Sequence, residues 1–358
     1  MSFLYRADTK IYDPFSNYID EQSTLRSKFL AVGLVSDNPV IAQNVTKGDK
    51  FKIPNWAPNL SGSIQIPAEG VPLSVNKLTS AEQVGVIFHR ANVWGSSELA
   101  KLAVGSENDP MQAIARRVTD YVLNAQQADL LSVLSGVFGS LGSSNSGAAF
   151  ASMCVDASGS NETDLSPRHV VLADAILGED ADTFGAMVVH PDVYAYLRVR
   201  EMINYVSAKE LPGITASTIA AGSITGLNAF GGDYSNAFGT TGQVPLFGSK
   251  AVIVSDDAPR TGSAGSYKYG VYVFKQGAIG QAFQAPVRTE SDRDILTSGG
   301  EDIMKVQWDM CYHPLGASWA GGINPTASDL ATAGNWTKVF SNKNIGVARI
   351  TCTCPLYV

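Results

Sequence analysis

Charge is scarce in this sequence. Only 16% of its 358 residues are Asp, Glu, Lys or Arg, against roughly 25% in an average soluble chain. Because 45% are hydrophobic, much of the surface is expected to be covered by something other than water. No apolar run approaches the ~18 residues that span a bilayer, so a membrane is not that cover; a large permanent protein interface would be. Positive charge is in deficit. With 26 Lys and Arg against 33 Asp and Glu, the net charge is −7, which argues against a protein that grips nucleic acid through clustered basic groups. Cysteine is sparse, and Cys154, Cys311, Cys352 and Cys354 fit free thiols in a reducing compartment. "CTC" puts Cys352 and Cys354 on one face of a strand, yet zinc wants four ligands and no Cys/His pair lies near them in sequence. The opening "MSFLYRADTKIYDPF" lacks the apolar core and cleavage site of a secretory leader.

Catalytic motifs are missing too. "SKAVIVSDDAPR" (249–260) runs a β-branched strand into Asp256 and Asp257, where an ATPase would hold magnesium. Such an enzyme also needs a Gly-rich phosphate loop followed by Lys-Ser/Thr, and "LFGSK" (246–250) has neither the spacing nor the order. "DDAP" equally forms a turn, with Asp side chains bonding back to the backbone and Pro259 fixing φ; this is the preferred reading. Asp292, Arg293 and Asp294 in "VRTESDRDI" read as a solvated or inter-subunit ion-pair cluster, since no base lies close. His190 in "VVHPD" is either a base at a strand tip or the cap of a helix beginning at Pro191. His89, His169 and His313 have no ligand spacing, and no G-x-S-x-G elbow exists. The five tryptophans, without interleaved basic residues, suit core or interface anchors better than base-stacking platforms. No enzyme, cofactor or metal site is expected.

What is present is an elongated α+β pattern. The first 45 or so residues are polar and irregular, with "DPF" and "DNP" turns. "FKIPNW" (51–56), "GSIQIP" (62–67) and "PLSVNKLTSAEQVGVIFHRA" (72–91) alternate as a long two-stranded excursion, which cannot be stable alone and must lie on a neighbour. "NDPMQAIARRVTDYVLNAQQADLLSVLSGVF" (108–138) carries apolar residues at helical spacing, with Asp109 as cap, Pro110 at the first position and Gly136 as stop. At 1.5 Å per residue it spans roughly 40 Å. Helices are predicted over 167–180 and 191–206, with strands at 186–190, "KAVIVSD", "YGVYVFKQGAIGQAFQ" and "DIMKVQWDMCYHP". The mixed order points to α+β and not to a doubly wound nucleotide fold. Two Gly/Ser/Ala-rich stretches, 135–152 and 207–242, do not hold themselves in an isolated chain and need neighbours.

The order and spacing of these pieces over some 300 residues resemble the major capsid proteins of tailed bacteriophages. "DPFSNYIDEQSTLRSKFLAVGLV", "FKIPNW", the 108–138 helix, "MVVHPDVYAYLR", "LFGSKAVIVSDDAP", "YVFKQGAIG", "TESDRD" and "YHPLGASW" carry the resemblance together, none of them alone. It implies the Johnson fold: an arm (1–47), an extended hairpin loop (48–92), a peripheral domain whose first part (93–182) holds a spine helix (109–137), an axial domain (183–285), and peripheral return strands with the C-terminal segment (286–358). It also implies a virion shell protein, assembled in the host cytoplasm, whose copies form hexamers and pentamers around double-stranded DNA.

On that reading the partners are the chain itself, with portal, scaffolding and decoration proteins as further ones. DNA is held by enclosure, and an acidic wall lets it be pumped in and ejected. The chain enters its arm near Met1, so scaffolding is expected either from a separate protein or to be unnecessary. Inter-subunit contacts are expected at Tyr12, Phe15 and Tyr18 in the arm, at Phe51, Ile53, Trp56, Ile64, Ile66, Leu73, Val75 and Arg90 in the hairpin, and at Asp256, Asp257 and Arg293. "PGITAS" and "SDDAPR" are expected at symmetry axes. Lys77 lies on the hairpin, but no motif carries over a covalent cross-linking role to it. Two rivals stand beside this reading: a nanocompartment shell enclosing protein cargo, and a soluble metal-dependent enzyme using Asp256, Asp257 or His190.

Overall fold

In the computed structural model the described residues are 34–46, 48–56, 62–67, 69, 72–78, 80–104, 110–141, 147–157, 164–179, 184–207, 243–263, 266–295 and 300–354. The spine helix runs over Pro110–Phe138, 29 residues or roughly 44 Å. Its C-terminal half is sunk in the core through Leu130, Val133, Leu134 and Val137, whereas Tyr121 and Leu123 remain exposed. Gly136 does not stop it, contrary to expectation. A Cβ there would fall 2.0 Å from the Leu330 carbonyl oxygen and 2.6 Å from Trp336 Nε1, so this glycine lets the short helix Ala327–Ala331 and Trp336 close onto the spine. The stop is Gly139, at φ +75°, a left-handed conformation that costs glycine little. Arg349, 1% exposed, donates to the carbonyls of Phe138 (3.0 Å) and Gly139, setting a cation at the negative end of the helix.

Against the spine lies a four-stranded sheet ordered Val35–Asp37, Ile279–Asp294, Glu301–Pro314, Phe88–Ser97. The two long central strands pair antiparallel from Ile279↔Pro314 to Asp294↔Glu301, with register shifts between Phe283 and Arg288. Val306, Trp308, Met310 and Tyr312 alternate onto the core face, as period-two spacing requires.

The second sheet is larger and mixed. Its order is Cys154–Asp156, Val347–Thr353, Lys268–Phe274, Ala186–Val189, Lys250–Val254, Gln243–Phe247, Asn204–Ser207, with Arg260–Thr261 also pairing to Lys268–Phe274. Val188, Val189, Val252, Ile253, Val271, Val273 and Ile350 are all sealed from water, the β-branched run of strands covered on both faces. Helices Pro167–Ala175 and Pro191–Val199 add Val170, Ala173, Val193, Tyr196 and Leu197 to that core. The helix expected to reach 206 ends at Val199. Glu201 turns the chain at φ +56°, and Asn204–Ser207 pairs with Gln243–Phe247; sheet pairing overrides the local helical pattern. The 167–180 helix likewise ends at Ala175. The α+β class is as expected.

Candidate assembly surface: the hairpin and its seat

The hairpin legs, Lys50–Trp56 and Ser80–Val86, pair antiparallel from Lys50↔Val86 to Trp56↔Ser80. Among the described hairpin residues only these form a ladder. The segments 62–67 and 72–78, expected as strand, are described without strand pairing. They are instead joined by one side chain: Gln65 Nε2 donates to the Ser74 carbonyl (2.8 Å) and Gln65 Oε1 accepts from the Ser74 amide (2.7 Å). The side-chain amide thus copies a strand's paired bonds. Flanking this clamp, Ile64 is 97% exposed, Ile66 89%, Leu73 56% and Val75 92%, and Trp56 at the end of the leg is 68% exposed. Each such side chain would gain ~1.5–3 kcal/mol on full burial. Large clustered apolar exposure marks an interaction surface.

The other end of the hairpin is anchored within the chain. Phe51, expected at an inter-subunit contact, is 4% exposed and packs with Ile41, Val45, Ile87, Ala282 and Cys311, with Ile53 against them. Phe51 serves the seat of the hairpin, where burial leaves it little surface to offer a neighbour, and Ile53 lies beside it half-buried. Gly85 makes room for the Phe51 ring, which a Cβ would meet at 2.2 Å. The Gln83 side-chain oxygen accepts from the Gly316 amide (2.9 Å) and contacts His313 Nε2 (3.2 Å), and Ser318 Oγ accepts from the Val84 amide (2.9 Å). At the base His89 bridges Asp309 (2.8 Å) and Asp49 (3.4 Å). Arg90 is also occupied at home: its guanidinium forms a two-point pair with Asp129 on the spine (3.0 and 2.9 Å).

The remaining candidates scatter. Tyr12, Phe15, Tyr18 and "PGITAS" lie outside the described residues. Arg293 pairs with Glu98 (3.2 Å) and Asp302 (3.8 Å), and Asp292 Oδ1 accepts from the amide of Arg293 (2.8 Å). The Ala258 amide bonds back to the Ser255 carbonyl (3.2 Å), closing "SDDA" as a four-residue turn. Asp256 points outward there, while Asp257 accepts from the Gln127 side chain. His190 caps its helix, Nδ1 accepting from the Asp192 amide (3.2 Å), and burial pushes its pKa down. Asp192 also accepts from Tyr269 OH (2.8 Å) and Arg260 (3.3 Å), so its carboxylate is already engaged. His169 Nδ1 accepts from the Ser166 amide (3.3 Å) as part of a helix cap. Burial lifts the Cys311 thiol to about 12 and raises Cys352 as well, leaving both protonated and poor as nucleophiles or ligands. Among the described residues no group of three or more His, Cys, Asp or Glu is placed to hold a metal, and no helix is long and apolar enough to cross a membrane.

The residues missed by sequence reasoning are Gln65, Gln83, Gly316 and Ser318. Gln65 had a signal, the I-Q-I alternation that sets it opposite two exposed isoleucines; the seat residues had none, because their partners lie 230 or more positions away.

No protein-family model matches the chain. The chain is 26% identical over 358 residues to the major capsid protein of Bacillus phage SPP1, covering 98% of each. The same arrangement recurs in the capsid asymmetric unit of cyanophage Pam1 (12% identity, 99% of this chain and 98% of that one, TM-score 0.59). It recurs again in the capsid of Ralstonia phage GP4 (12%, 99% and 98%, TM-score 0.57) and in a protein of Mycobacterium phage Che8 (13%, 96% and 97%, TM-score 0.54). The chain has the tailed-phage major capsid fold. Within that capsid fold the exposed hairpin tip and its buried seat are two halves of one element, one facing outward and one anchoring it.

Proposed function

We propose that this chain is the major capsid protein of a tailed phage, whose copies assemble as hexamers and pentamers into an icosahedral head around double-stranded DNA. The observation that carries the reading is end-to-end sequence similarity to a phage major capsid protein, 98% of both chains. The hairpin supports it, since five large apolar side chains stand more than half exposed on an element that cannot cover them itself. Repeating one heterologous contact around closed symmetry produces a shell. In this reading 1–47 is the arm, 48–92 the reaching hairpin, 93–182 and 286–358 the peripheral domain, and 183–285 the axial domain; the mixed sheet also recruits strands from 154–156 and 347–353. Trp56, Ile64, Ile66, Leu73 and Val75 form the contact, with the arm residues Tyr12, Phe15 and Tyr18, the turn at Asp256 and Asp257, and Arg293 as further contacts. Assembly takes place in the host cytoplasm with portal, scaffolding and decoration proteins, and the role is structural, with no catalytic step.

Negative-stain microscopy of the full-length chain made with its neighbouring phage genes, with nuclease treatment of the particles, tests this. Closed heads holding nuclease-protected DNA are expected. Shells filled with a protein cargo would overturn it in favour of a nanocompartment, and a small soluble oligomer with metal-dependent turnover in favour of an enzyme.

A further inference from the structure

The hairpin rests on a histidine whose hydrogen bonding is fixed by its surroundings. The Gly316 backbone amide can only donate, and it donates to Gln83 Oε1 (2.9 Å), so the oxygen of that amide is the atom facing His313 at 3.2 Å. His313 Nε2 must therefore carry the proton and donate. That leaves Nδ1 as a bare lone pair, and it is buried with no hydrogen-bond partner among the described residues. The ring is 1% exposed. Two hairpin side chains lie against it, the Phe51 ring edge-on at 5.8 Å and the Gln83 amide.

Among the described residues no ionised side chain acts on the imidazole, whose pKa burial alone lowers, and helix Pro39–Asn44, packed over the opposing Gly280, holds none. On the first leg Lys50 reaches away to the Gly321 carbonyl, and Lys52 pairs in solvent with Glu82 of the second leg. On its own strand Asp309 is engaged by His89 and Arg288. On the adjoining strand its partner is Gly280, flanked by Ile279 and Gln281. Protonating Nδ1 in place would bury a cation and a donor with nothing to receive either, a cost that separation of the elements removes.

We infer that His313 makes the docking of the hairpin on the body of the subunit acid-sensitive: the hairpin is held while the imidazole is neutral and released as it is protonated. The inference concerns one chain's own hairpin and goes beyond the shell reading. Burial holds the imidazole down at about 4 against an ordinary value of 6.5. A depressed histidine means the undocked state binds the proton first, so docking is fully favoured above pH 6.5 and weakens as pH falls from 6.5 towards 4. Linkage over that window makes the opening constant rise about 30-fold between pH 7.5 and pH 5.0.

Hydrogen–deuterium exchange of the full-length chain at pH 7.5 and 5.0, corrected for intrinsic exchange, reads this directly. Peptides from Lys50–Trp56 and Ser80–Val86 should show the rise of about 30-fold, while those from Lys250–Val254 change far less. His313→Gln keeps a donor for Gln83 without a titrating ring and should remove the rise; His89→Asn should keep it. A wild-type rise below about threefold, a rise that survives in His313→Gln, or one lost in His89→Asn would each overturn the inference. The wild-type comparison decides even where a variant fails to fold, and none of these outcomes bears on whether the chain builds shells.

Discussion

Single residues here act mostly by what they seal. Asp129 has only 6% of its side chain in water and Arg90 neutralises it. Arg90→Met leaves a buried uncompensated carboxylate and should cost ~3–5 kcal/mol in urea unfolding, whereas adding Asp129→Leu should recover most of that loss. If Arg90→Met alone is neutral, the pair does not tie the hairpin strand to the spine. Arg349→Met should lower stability by ~1–3 kcal/mol by leaving the last spine carbonyls without a donor, seen as a lower unfolding midpoint. Sequence alone reads such residues poorly. The turn at Asp256 and Asp257, closed by the Ser255–Ala258 backbone bond, and the cap at His190 were legible because those bonds span three positions or fewer, although the Asp257 side chain, expected to bond back to the backbone, meets Gln127 130 positions away. Arg90–Asp129 is separated by 39 positions and His313–Gln83 by 230, and a single chain carries no mark of who meets whom across the fold.

Elements behave differently, because periodicity is local. The spine helix was placed to within a residue at each end, since 29 positions of helical spacing outweigh any one signal. The residue named as its stop was wrong even so: Gly136 lies inside the helix and Gly139 ends it, because two glycines look alike until packing distinguishes close approach from a left-handed turn. Gly136→Ala drives a methyl into the Leu330 carbonyl and should cost ~1–3 kcal/mol, more than the gain from helix propensity of ~1 kcal/mol. An unchanged or raised melting temperature would show that the Ala327–Ala331 helix yields freely. The 191–206 segment was misread for the opposite reason: its end forms an edge strand only because Gln243–Phe247 is there to pair with it. At the hairpin, the triple change Ile64→Ser, Ile66→Ser and Val75→Ser should leave unfolding within ~0.5 kcal/mol of wild type, as exposed substitutions do, and yet abolish assembly in sedimentation. Normal shells from that variant would remove the tip from the interface.

At the scale of the molecule, low charge and an apolar projection fit the proposed reading, in which copies of the chain complete its surface. The overall class and the order of pieces were legible because they depend on composition and spacing summed over the whole chain. How the hairpin is fastened was not, because the seat is assembled from the second leg, the end of a long strand and the turn after it. Electron cryomicroscopy of the assembled particle tests the central claim most directly. Closed shells are expected, with Ile64, Ile66 and Val75 of each copy buried against a neighbouring copy. Shells with those three side chains in solvent, or a chain that stays a monomer under assembly conditions, would contradict it.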